Sequence, residues 1–251
     1  MRIESSVTSI SWIPSEVLSA FTGLPFELGV FHYDAPPPER VADGDLQALY
    51  EADRLRFANE LRAFVEVDDG RIIDHGHLGR GLMGWTTLRL GRGSRTIPGV
   101  LLPVLRNVEV TDASVRFVQT VGGRTGVLAP RPVNRPPYVQ LIAPTVWTTL
   151  ALTLHADGRS EYELVRASSM PRHWIYDGDG QVTHKSGVID ANGWAVSHSL
   201  RSPWADYDAP AVVAEVETAL ERNLSTAIMR AGEQPKIRKL RAGDTLTEQG
   251  T

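Results

Sequence analysis

Two stretches of alternating side chains, each folded back on itself at a glycine-marked corner, fill residues 146–186. Val146, Thr148, Leu150, Leu152 and Leu154 share one side of an extended chain, and Trp147, Thr149, Ala151, Thr153 and His155 share the other. Ala156-Asp157-Gly158-Arg159 supplies a turn, and residues 161–165 carry the return strand. Beyond a corner that contains Pro171, residues 173–176 and 181–184 repeat the arrangement around Asp177-Gly178-Asp179-Gly180. Two consecutive hairpins commit this part of the chain to antiparallel sheet.

The same period of two runs through residues 54–67. Leu55, Phe57, Leu61, Ala63, Val65 and Val67 lie on one side, with Arg54, Arg56, Glu60, Arg62 and Glu66 on the other. A helix would scatter those charges around its circumference, so the period decides for strand. Residues 2–12 and 26–33 read as further strands, residues 45–53 as a helix, and the proline- and arginine-rich stretch 122–137 as a long ordered loop. Asp208 and Pro210 open a helix over 210–231, whose stripe of Val212, Val213, Val216, Leu220, Leu224, Ala227 and Ile228 ends at Gly232. The expected fold is α+β, mainly antiparallel β, with a curled sheet or open barrel and one long C-terminal helix. It divides into a β-rich domain over 1–208, a connector helix over 209–232 and a terminal segment over 233–251.

Bulk properties exclude several classes of function. A formal net charge of −4 provides no basic field for a nucleic-acid backbone. No apolar run reaches the ~18 residues of a membrane span, and the first six residues lack the apolar stretch of a secretion signal. There is no cysteine, which removes disulfides and thiolate chemistry together and fits a cytoplasmic protein. Lysine occurs only at 185, 236 and 239, so amine nucleophiles are few.

No dinucleotide, phosphate-loop, zinc-protease or serine-hydrolase motif is present. His75-Gly76-His77 sets two imidazoles on one side of an extended chain, and His32 and Asp34 have the same spacing. Either is half of a metal site lacking its third ligand, so no metal or cofactor is expected. His173, with Asp177 or Glu163 as orienter, has the makings of a general base, as does His75, and Lys185 of an amine nucleophile. Asn59, Gln119 and Thr148 each interrupt an otherwise apolar strand side. Inside a barrel such residues would line a pocket for a small, partly polar ligand, with Trp147 or Trp174 near its mouth and Arg124 facing an acidic group.

Residues 236–250, Lys-Ile-Arg-Lys-Leu-Arg-Ala-Gly-Asp-Thr-Leu-Thr-Glu-Gln-Gly, resemble the entry strand of cyclic-nucleotide-binding domains of the CRP/FNR type. Their basic-apolar strand, Gly-Asp turn and Gln-Gly pair match that family's opening, while its phosphate-binding cassette is absent from the chain. The remainder is similar to N-terminal regions of bacterial, actinobacterial proteins that continue into such a domain. The resemblance implies a regulatory module that binds a small molecule or partner and is joined to that domain by helix 210–231. The stripe of that helix either covers the β-domain or pairs two copies. The alternative is a small-molecule enzyme of acid/base or lyase type, working in the barrel cavity.

Overall fold

The computed structural model describes residues 1–13, 34–90, 92–126, 129–132, 134–136, 139–169, 172–186 and 203–204. The helix expected over 210–231, the strand over 26–33 and the tail over 236–250 lie outside the described residues, as does His32.

In chain order the elements are β1 (Arg2–Trp12), α1 (Asp45–Glu51), β2 (Phe57–Asp68), β3 (Arg71–His77), β4 (Arg80–Met83), β5 (Trp85–Leu90), β6 (Gly93–Pro98), β7 (Val100–Leu101) and β8 (Leu105–Val110). They continue with β9 (Ser114–Arg124), β10 (Ala129–Pro132), β11 (Val139–Ile142), β12 (Thr145–His155), β13 (Ser160–Ala167), β14 (Arg172–Tyr176) and β15 (Val182–Ser186). The predominance of antiparallel strands is as the alternation requires, and the helix expected over 45–53 forms as α1.

The turns explain themselves. Asp69 and Gly70 both take positive φ between β2 and β3, the backbone that a two-residue hairpin turn needs. Gly158 and Gly180 do the same in the β12–β13 and β14–β15 turns.

Among the described residues the strands close no barrel. Of the two large sheets, the first runs β15-β14-β1-β2-β3, with β4 continuing beside β2, and the second runs β13-β12-β9-β7, with β8 beside β9; β5–β6 and β10–β11 form two-stranded sheets. The two large sheets stack face to face. Val7, Leu61, Ala63, Val65, Val67 and Ile175 from the first sheet meet Val115, Phe117, Leu150, Leu152 and Leu154 from the second. The two successive hairpins of residues 146–186 therefore lie in opposite sheets, and the chain crosses between them after Ser168. Trp147 N–H donates to Ser168 Oγ and Ser168 N–H to Trp147 O, which holds the crossing against the second sheet.

A third layer covers part of the first sheet. Leu46 and Leu49 of α1 pack with Ile10, Trp12, Leu55, Ala58, Trp174 and Tyr176 on the face turned away from the sandwich interior. The stretch 122–137 is not a loop throughout. It completes β9 and supplies β10, which among the described residues pairs only with β11. A two-stranded ribbon tolerates Pro130 and Pro132, which have no N–H to give to a second neighbour.

Candidate functional site

The space between the sheets is apolar at one end and polar at the other. Ser9 and Ser11 of β1, Asn59 of β2, Gln119 of β9, Thr148 of β12 and His173 of β14 all project into it, none more than 1% exposed. Asn59, Gln119 and Thr148, read from the sequence as polar interruptions, come together there.

They are bonded to one another. Asn59 Nδ2 donates to Thr148 O at 3.0 Å and approaches Thr148 Oγ1 at 3.1 Å. Gln119 Nε2 donates to Asn59 Oδ1 and to Glu60 O, both at 2.9 Å. Arg106, reaching in from the edge strand β8, donates from Nε to Gln119 Oε1 and from Nη2 to Gly79 O, each at 3.0 Å. Buried amides left without partners would cost ~1–3 kcal/mol each, and here the two sheets supply each other's partners. Ser9, directly opposite Asn59 in the β1–β2 register, has a buried Oγ with no hydrogen bond.

His173 closes a second link. Its Nε2 donates to Ser168 O at 2.9 Å, because a carbonyl only accepts, so Nδ1 accepts from Ser11 Oγ at 2.6 Å. Burial pushes the imidazole down to about 4, against a smaller upward pull from the Ser168 carbonyl. Both ring nitrogens are engaged. Asp177 instead accepts the Asp179 and Gln181 amides in its own turn, and Glu163 lies 3.4 Å from Arg116 at the surface.

The other residues singled out from the sequence are dispersed. Trp147 lies on the outer face of the second sheet with Leu102 and Trp204. Trp174 lies on the outer face of the first, edge-on to Trp12 and under the Lys185 ammonium, which also meets Glu39 at 2.7 Å. The two tryptophans thus border opposite surfaces rather than one mouth. Arg124 is buried and donates to Ala143 O at 3.1 Å. His75 and His77 both pack on the Phe117 ring. Burial first, then the Arg106 and His75 charges, depress His77. Among the described residues no cluster of three or more His, Asp or Glu side chains could hold a metal ion.

One buried node escaped the sequence reading. Arg56 Nε meets Asp34 Oδ1 at 2.5 Å, with both side chains less than 5% exposed. Asp34 Oδ2 also accepts the Ile13 amide at 2.8 Å, and Arg56 reaches Asp53 and the Trp85 carbonyl. The ion pair ties the end of β1 to the entrances of β2 and β5. Period-two alternation set Arg56 on the charged side of its strand, and Asp34 stood out in the sequence only beside His32 as half of a metal site, whereas its carboxylate holds Arg56.

Compared with family models, curated proteins and solved structures, the chain matches none of them. Among the described residues no helix is long and apolar enough to cross a membrane.

Proposed function

We propose that this chain is a partner-binding regulatory module rather than a catalyst. The observation that carries the reading is where, Met1 apart, the exposed large apolar side chains of the described residues lie. Ile73 on β3, Leu78 between β3 and β4, Leu101 on β7, Val104 before β8 and Val110 on β8 are all exposed. Those strands form neighbouring edges of the two sheets, joined by the bonds from Ile72 N–H to Asp112 O and from Arg106 to Gly79 O. Apolar side chains gathered on one side of a domain favour contact with another macromolecule. Ile73 is the unpaired residue of a bulge in β3, since Glu66 faces Asp74 and Val67 faces Ile72. A bulge discourages sheet-to-sheet growth at an edge, so the contact expected is through side chains.

Residues 236–250 support placing a cyclic-nucleotide-binding-type domain next in the protein, with this module acting on it or through it from the cytoplasm. The interlocked polar layer supports a scaffold role for the interior. A photo-crosslinking residue at Ile73 or Val110 is expected to give adducts in producing cells, and one at Glu163, on the far edge strand β13, none. Equal yields at all three positions would reject the reading.

A further inference from the structure

Trp204 is 1% exposed and sits on the outer face of the second sheet, packed with Leu102 and Trp147 and against Leu105. Its Nε1 donates to Pro103 O at 2.8 Å, across 101 positions of sequence. The floor beneath it is Gly122 of β9. A Cβ there would fall 2.7 Å from Trp204 Cη2 and 2.4 Å from Trp147 Cβ, closer than carbon atoms pack, so glycine is required for the ring to seat. Apolar walls and the Pro103 carbonyl match an indole, which is a flat hydrophobe with one N–H to satisfy.

We propose that this slot is an indole-recognition site for which the chain supplies its own ligand, Trp204, seated in cis on the second sheet. The Pro103 carbonyl selects indole over a ring that cannot donate. The slot is distinct from the contact side formed by β3 and β8 and does not depend on the function proposed above.

The test uses the full chain bearing Trp204→Ala, titrated with free indole and with N-methylindole by calorimetry. One saturable site is expected, at least ~10-fold tighter for indole than for the methylated ring, because a buried acceptor left unpaired weakens binding. Wild-type protein, its slot filled, shows no saturable uptake. A folded variant that binds neither compound, or both equally, overturns the proposal, as does equal uptake by the wild type. If the alanine variant does not fold, the wild type decides. Its Trp204 indole N–H, assigned by the signal lost in Trp204→Phe, should exchange at least ~100-fold more slowly than a free indole. Exchange at the free rate overturns the assignment.

Discussion

Asn59 and Gln119 face each other across the two sheets, and the Gln119 amide donates to Asn59 Oδ1 at 2.9 Å where neither side chain touches solvent. Each residue also bonds the backbone of the opposite sheet, Asn59 at Thr148 and Gln119 at Glu60. The pair therefore fixes how the sheets are laid on one another, in a way that oily side chains sliding past each other would not.

Asn59→Ala should lower stability by ~2–4 kcal/mol, since it strands the Gln119 amide as well as losing its own bonds. Asn59→Leu combined with Gln119→Leu should cost at least ~1 kcal/mol less than the sum of the single changes. Urea unfolding of the four proteins checks this, and strict additivity would deny the coupling.

His173 makes stability depend on pH. Its folded value, depressed to about 4, lies below the ordinary 6.5, so between those values the unfolded chain binds the extra proton. The contribution is full above pH 6.5 and is lost as pH falls toward 4, a loss on the order of 3 kcal/mol. His173→Gln should flatten that part of the stability profile, which chemical denaturation at pH 7, 6, 5 and 4.5 would record.

Breaking the Asp34–Arg56 pair from one side should be worse than replacing both members. Asp34→Ala removes the more buried of the two carboxylates beside the Arg56 guanidinium, leaving Asp53, and should cost ~2–4 kcal/mol. Adding Arg56→Met in that background should restore part of the loss, read as the shift in thermal midpoint.

Ile73→Asp and Val110→Asp should leave stability within ~0.5 kcal/mol of the parent, because both side chains already meet water. The same changes should reduce binding of a fluorescent hydrophobic dye to the native protein. Unchanged dye binding would place its exposed apolar surface elsewhere.

Much of the local structure was legible in the sequence, because period-two alternation and glycine-marked turns act between near neighbours. The β2 strand, the β12–β13 and β14–β15 hairpins and the α1 helix all follow from such signals. Asn59, Gln119 and Thr148 were visible as polar residues in phase with apolar ones, and they do meet. Alternation reports which face a residue occupies but not which sheet its strand joins. Two hairpins adjacent in sequence thus went to opposite sheets, and Trp147 and Trp174 to opposite surfaces. The pairing of Asp34 with Arg56 was illegible for a related reason: Asp34 drew notice only for its spacing from His32, and nothing in a run of charges says which one is buried.

The first strand of the chain lies between β2 and β14, with Thr8 opposite both Glu60 and Tyr176. One long border of β1 must therefore wait, on the ribosome, until the residues of β14 have been made. An incomplete chain offers that border's amides and carbonyls to any passing strand, so assembly is governed by contacts distant in sequence and is correspondingly slow. Nascent chains halted before β14 are the species that a chaperone would be needed to shield.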